Sequence, residues 1–304
     1  MRTNKLPSGN TKGLLIEGIT LADLDSPDLR AELVDLWLQG GLLVFRGDNN
    51  TALHVELSKV FGDLEQHPVK EFRVENFPDL IEISYRPGVD TIVDVDGTEL
   101  GAWIPWHTDL IYRDRVNRGG MLRCIVAPEA GGRTGFIDKA LTWDTLPEDL
   151  KERIAGRNVV YKMGMRFDRH RFAYPGQLNI LKINSRMQSM IDREDIDFPP
   201  SVHPAVFVHP QSGKTILNVS PMFATRIEGM DEAESEKVLR RVANHIFRED
   251  FAYFHEWSVN DMVLWDNWRM FHRATGVEPH CHRTMQRTTI AGDYRDALPA
   301  AQAA

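Results

Sequence analysis

From residue 80 onward the chain breaks into short apolar runs separated by turn residues, a texture that leaves few architectures open. "LIEISYR" (80–86), "DTIVDVDG" (90–97), "WHTDLIY" (106–112), "GMLRCIVAP" (120–128) and "GRTGFIDK" (132–139) each have strand length and are rich in β-branched or aromatic residues. "HPAVFVHPQSGKTILNVS" (203–220) reads as a hairpin turning around Gln211-Ser212-Gly213. "WSVNDMVLWDN", "MFHRATG" and "HRTMQRTTIAGD" complete the strand set. Helical patterns stand around these runs rather than alternating with them. "LRAELVDLWLQGG" (29–41) stops at Gly40-Gly41, and "TALHVELSKVFG" (51–62) is expected to be capped by Thr51 and ended by Gly62. "WDTLPEDLKERIAG" carries Pro147 in its opening turn, and "DEAESEKVLRRVANHIFRE" is strongly amphipathic. A mainly β core with flanking helices therefore fits better than βα units.

The whole chain of 304 residues reads as a single domain, with an irregular insertion at about 165–200 that suits a cover over a site. Apolar residues make up 42% of the chain, enough for a sizeable core. The net charge of -8 argues against a nucleic-acid partner or an anionic membrane surface, while leaving room for a small basic pocket. Two cysteines, Cys124 and Cys281, give neither a disulfide framework nor a Cys-rich zinc module, which suggests a reducing, cytoplasmic setting. The N-terminal stretch has no apolar signal core, and no run approaches a membrane span.

Chemistry is suggested by "GAWIPWHTDLIYRD". If 106–112 is a strand, His107 and Asp109 share a face and can converge on one ion. Such a pair equally suits ordinary hydrogen-bonding residues leaving a strand. His272, between Phe271 and Arg273, is a candidate third ligand; alone it also reads as a half-buried histidine among aromatics. Two histidines and a carboxylate suit oxygen-activating non-haem Fe(II), or the zinc of a hydrolase. Further on, Arg283 and Arg287 lie four apart in a β-branched stretch and so share a face; buried, they would need carboxylate partners.

Taken together, these motifs resemble the Fe(II)/2-oxoglutarate-dependent dioxygenases related to taurine dioxygenase and 2,4-dichlorophenoxyacetate dioxygenase. The likeness runs through "GLLVFRG", "FGDLEQHP", "WHTD", "APEAGGRTGFID", "WDNWRMFH" and "RTMQRTTIAGD". The spacings agree too: Thr134 follows His107 by 27 residues, and Arg283 and Arg287 follow His272 by 11 and 15. The resemblance implies a double-stranded β-helix, a jelly-roll relative of the cupins, with Fe(II) as cofactor and 2-oxoglutarate and O2 as co-substrates. It implies that His107, Asp109 and His272 ligate iron, and that Thr134 and Arg283 hold the distal carboxylate of 2-oxoglutarate. Asp266 and Asn267 would satisfy local backbone groups or support the site, with Trp106 and Trp265 as wall and core.

Arg287, His67 and Lys70 would meet the anionic group of a small-molecule substrate, with Met165, Phe167, Phe172 and Tyr174 adding apolar contact and Arg166, Arg169 and Arg171 positive charge. The expected reaction is hydroxylation with release of succinate and CO2. Desaturation and C–heteroatom cleavage by the same oxidant stay open, as does a catalytically inactive cupin-like binding protein. A carboxylate at position 109 disfavours halogenation, for which family members carry a small residue there. A homo-oligomer, dimer or tetramer, is a further implication.

Overall fold

In the computed structural model, residues 1–7, 10–66 and 73–297 are described, so His67 and Lys70 lie outside the described residues. Among the described residues, eight strands form one sheet and six a second. The larger sheet runs Arg2–Lys5, Leu14–Glu17, Leu42–Arg46, Met262–Asp266, Gly119–Val126, Arg283–Ile290, Phe77–Tyr85, Arg73–Val74. The smaller runs Leu178–Lys182, Ile92–Val95, Thr98–His107, Met270–Val277, Thr134–Asp138, Ala252–His255. Apart from the parallel pair Leu14–Glu17 and Leu42–Arg46, pairing within both sheets is antiparallel. This is the double-stranded β-helix implied by the resemblance. Two facing sheets bury alternate side chains between them, and Phe136, Trp265, Met270 and Met285 all lie in that inner layer.

The helices form where expected, with local corrections. Pro27–Gly40 is capped by Ser26, whose Oγ accepts from Leu29 N, and it ends because Gly41 adopts φ 73°, a conformation that favours glycine. Thr51–Lys59 is capped by Asn50 rather than Thr51: Asn50 Oδ1 accepts from Leu53 N at 2.9 Å. The helix also stops before Gly62. Residues 143–156 are not one helix but parts of two, Lys139–Asp144 and Glu148–Ile154. Pro147 is the N-cap of the second, with ψ 137°, because it has no N–H to extend the first.

Residues 165–200 are more regular than expected. They hold a 3-10 turn (Phe167–Arg169), a strand (Leu178–Lys182) and two short helices (Ser185–Ile191 and Glu194–Asp197). The strand pairs with Ile92–Val95 and so extends the smaller sheet at its edge. Asp90 pins this cover to the barrel, its Oδ1 accepting from Asn184 Nδ2 at 2.9 Å.

The two sheets pack closely at Gly101. A Cβ there would lie 2.2 Å from the Tyr85 ring, which is buried and anchored by its hydroxyl on the Pro279 carbonyl at 3.0 Å. Gly101→Ala is therefore expected to destabilise the fold by about 1–3 kcal/mol through overpacking, measured as a shift of the urea midpoint at unchanged slope.

Candidate active site

Cross-strand register builds the site. On the smaller sheet His272 stands opposite His107 on one side and Phe136 on the other. The next inward-facing row contains Ala274, Ile104 and Thr134. Between His272 and Ala274 the pairing with Thr98–His107 slips by one residue, which keeps His107 and Ile104 on the same face. The two imidazole rings are 4.1 Å apart, centre to centre.

Asp109 reaches this face by a different route from the expected one. The strand ends at His107, and Asp109 sits in a turn whose next residue, Leu110, has φ 55°. Strand alternation therefore does not place Asp109; the turn does. His107 Nε2 is 3.5 Å from Asp109 Oδ1, and His272 Nε2 is 3.7 Å from Asp109 Oδ2. These separations are too long for good hydrogen bonds. One donor atom from each of the three residues nevertheless lies within 4.8 Å of the others.

His107 Nδ1 is 2.8 Å from the Pro105 carbonyl; it must donate its proton there, so in the neutral ring Nε2 presents a lone pair. Burial, with His107 close by, pushes His272 well below the usual histidine range, so His272 is neutral. Burial alone would raise Asp109, but Arg287, acting together with His272 and His107, outweighs it and holds the carboxyl well below the usual carboxylate range. A neutral His272, a His107 whose Nδ1 is engaged by a carbonyl and whose Nε2 faces the other two residues, and an ionised Asp109 suit a divalent cation with open positions.

The larger sheet faces this triad with Arg283, Met285 and Arg287, alternate residues of one strand. The two arginines do different things. Arg287 Nη1 pairs with Asp109 Oδ2 at 2.7 Å and Nη2 donates to Thr289 Oγ1, leaving Nε buried without a partner among the described residues. The carboxylate partner that a buried Arg287 needs is Asp109.

Arg283 is only 4% exposed, yet among the described residues no carboxylate lies within ion-pairing distance of it. It donates to the Gly132 carbonyl at 3.3 Å and approaches Thr134 Oγ1 at 3.5 Å. Burial lowers it only to about 10, so it stays a cation at neutral pH. A buried guanidinium with only neutral partners, beside a threonine hydroxyl, fits a carboxylate ligand.

Arg283 opens onto a cavity of about 240 Å³ walled by Trp103, Ile104, Met165, Phe167, Met187 and Met190. Of the apolar residues expected from the cover, Met165 and Phe167 line it, whereas Phe172 is buried beneath Arg240. Tyr174 packs on Trp103 and donates to Asp96. Beyond Asp109, Tyr112 borders a second cavity of about 390 Å³ with Arg113 and Phe198. Burial and the Asp109 charge push the Tyr112 hydroxyl up to about 12. Arg166, Arg169 and Arg171 line a third cavity instead, where Arg166 pairs with Asp168 and Arg171 with Glu232 and Glu236. They are not placed to add charge beside Arg283.

Several supporting groups escape a reading of the sequence. Trp257 Nε1 donates to Thr134 Oγ1 at 3.0 Å, and Asn117 accepts from Asn267 Nδ2 at 2.9 Å. Each contact joins residues more than a hundred positions apart, and no local pattern marks either.

A two-histidine, one-carboxylate face with open positions, set between two sheets, defines the class of non-haem iron sites that activate oxygen. The model of the taurine catabolism dioxygenase TauD, TfdA family matches residues 5–289. An (S)-phenoxypropionate/alpha-ketoglutarate-dioxygenase of Sphingobium herbicidovorans is 29% identical over 94% of this chain and 94% of its own. An alpha-ketoglutarate-dependent 2,4-dichlorophenoxyacetate dioxygenase of a Burkholderia species is 28% identical over 93% of this chain and 91% of its own. A taurine dioxygenase structure from Burkholderia xenovorans superposes with a TM-score of 0.73 at 24% identity, covering 96% of this chain and 89% of that one. The chain belongs to the TauD/TfdA family. It is an alpha-ketoglutarate-dependent dioxygenase, and its cofactor and co-substrates are Fe(II), 2-oxoglutarate and O2. Among the described residues no helix is long and apolar enough to cross a membrane.

Proposed function

We propose that the protein hydroxylates a C–H bond of a small or medium organic acid with an apolar body, releasing succinate and CO2. The acid is a carboxylate by preference, with sulfonate, sulfate and phosphonate as the other anions the site would take. The observation that carries the 2-oxoglutarate-dependent part of this reading is Arg283, a buried cation with no anionic partner among the described residues, on the wall facing His107, Asp109 and His272. In this reading those three side chains hold Fe(II), and Arg283 with Thr134 holds the distal carboxylate of 2-oxoglutarate. Bound there, Fe(II) couples oxidative decarboxylation of 2-oxoglutarate by O2 to oxidation of the substrate.

The chain's own residues bind, orient and exclude water. Trp257 aims the Thr134 hydroxyl by donating to its oxygen, which leaves the hydroxyl proton free for a carboxylate. Trp103, Ile104, Met165, Phe167, Met187 and Met190 dry the cavity next to Arg283. An apolar, aryl-sized substrate body suits such walls, and the aryloxy acids in two relatives' names point the same way. Arg287 keeps N–H donors unused among the described residues, Nε included, which supports a contact with the substrate anion in addition to its bond to Asp109. His67 and Lys70 are proposed as further anion contacts. With an aryloxy acid, hydroxylation of the carbon bearing the ether oxygen gives a hemiacetal that expels the phenol, so cleavage would be the visible outcome. Free, buried Cys124 and Cys281 support a reducing, cytoplasmic location, and a homo-oligomer is proposed on family resemblance.

Anaerobic addition of Fe(II) and 2-oxoglutarate is expected to give the weak visible band of a chelated keto acid; folded protein without the band would overturn the site assignment. A succinate-release screen across carboxylates, sulfonates, alkyl sulfates and phosphonates tests the substrate class. In Arg287→Ala, KM for the preferred acid is expected to rise about 10-fold or more, as for loss of a charged hydrogen bond. Unchanged preference would remove Arg287 from substrate recognition.

A further inference from the structure

We propose that Asn267 is the positioning residue that fixes the Asp109 carboxylate in the metal site, and that Lys139 in turn fixes Asn267. The proposal rests on the reading of His107, Asp109 and His272 as the metal-holding set. His107 and His272 are aimed by a sheet ladder, but Asp109 lies past the end of its strand, so no ladder orients it. Asn267 supplies the missing partner. Its Oδ1 accepts from Asp109 N at 3.0 Å and its Nδ2 donates to the Asp109 carbonyl at 3.0 Å. A side-chain amide thus pairs with both backbone groups of one residue, as a neighbouring strand would. The same Nδ2 reaches Asn117 Oδ1 at 2.9 Å and its carbonyl at 3.1 Å, tying the far end of the 108–117 loop to the same post.

Asn267 is itself held from every side. It is fully buried; its N–H donates to the Arg118 carbonyl, and its own carbonyl accepts from Lys139 Nζ at 2.9 Å. Lys139 is 0% exposed, and among the described residues no carboxylate lies within ion-pairing distance of it. Besides that carbonyl it has the Phe271 ring, 4.9 Å from Nζ. Burying an amine against a carbonyl and a ring is costly, and burial lowers Lys139 to about 7. That expense makes sense if it locks a carbonyl whose residue must not move. The preceding residue, Asp266, is anchored by Arg118 and by His209 at 3.1 Å, so the whole 266–267 corner is rigid.

Only an asparagine meets these demands. Aspartate keeps the acceptor but loses the donor and brings a second anion toward Asp109. Serine is too short, and glutamine overshoots by one methylene. Without the amide clasp, the short contact that still holds Asp109 among the described residues is its carboxylate's pair with Arg287 at 2.7 Å.

Co(II) is the probe, added to oxygen-free protein without 2-oxoglutarate, with affinity read by titration and geometry by its visible absorption. Asn267→Ala is expected to bind Co(II) about 10- to 100-fold more weakly, the range for partners that orient a metal-holding side chain, and to change the absorption envelope. Lys139→Met is expected to weaken binding in the same direction. A merely structural role would lower Tm but leave the affinity and spectrum of the folded protein unchanged. If Asn267→Ala does not fold, Asn267→Ser and Lys139→Met carry the test with the same readouts. Folded variants that match the parent in affinity and spectrum overturn the proposal. Asp109→Ala runs in parallel: if it too binds Co(II) normally, the metal-site reading fails, whereas loss there with normal Asn267 variants sinks only the clasp.

Discussion

Asp109→Ala is expected to abolish succinate release with every substrate tested and to weaken metal binding by more than about 100-fold, beyond the effect typical of an orienting partner. Asp109 is the sole carboxylate of the three-residue set, and removing it leaves only the two imidazoles. It also leaves Arg287, paired with Asp109 at 2.7 Å, as a buried cation without its counter-charge. Breaking a buried pair from one side costs about 3–5 kcal/mol, so metal-free Asp109→Ala should also melt earlier. The sign with pH follows from the depressed carboxyl. Its stabilising contribution is complete above the ordinary aspartate value of about 4 and is lost as pH falls from there through the lower folded value. The parent's stability advantage over Asp109→Ala should therefore hold at neutral pH and shrink in acid. Retention of full activity would refute the three-residue site.

The second large effect has the opposite stability signature. Arg283→Met should raise KM for 2-oxoglutarate by about 30- to 5000-fold, corresponding to about 2–5 kcal/mol for truncating one partner of a buried charge pair. Yet the metal-free protein should be as stable as the parent or more so. Arg283 is a cation already desolvated against the Gly132 carbonyl and the Thr134 hydroxyl, and methionine fills similar space without that cost. Loss of co-substrate binding together with a steady or raised Tm separates a binding arginine from a structural one. An unchanged KM for 2-oxoglutarate would remove Arg283 from the site.

Legibility in the sequence followed periodicity. The alternation that put Arg283 and Arg287 on one face held because strands repeat every two residues, and those two side chains do face the triad. The same rule was applied to His107 and Asp109 and reached a convergent pair for the wrong reason, since the strand ends at His107. Nothing local announces that Leu110 takes a positive φ and turns the chain back. The 165–200 segment looked irregular because its strand is a sheet edge, half-buried at alternate positions and exposed between, with too few apolar positions to show a pattern. The Asn267 clasp on Asp109 spans 158 residues, and the pairing of Arg287 with Asp109 spans 178. Contacts of that reach arise from closing the two sheets together and leave no trace in either neighbourhood.

The slipped pairing between His272 and Ala274 has a consequence for how such an enzyme can change. The spacing between the two histidines is inherited from a ladder of backbone bonds, and a one-residue shift of that ladder would turn His107 away. Oxidising power is therefore stored in main-chain geometry, which tolerates side-chain drift at every other position along those strands. Met187 and Met190, by contrast, belong to an edge-attached segment held to the barrel through contacts such as that of Asn184 with Asp90. Exchange of that segment could retune which molecule is admitted while the oxidising half stays in place, so chemistry and choice of substrate can evolve on separate schedules.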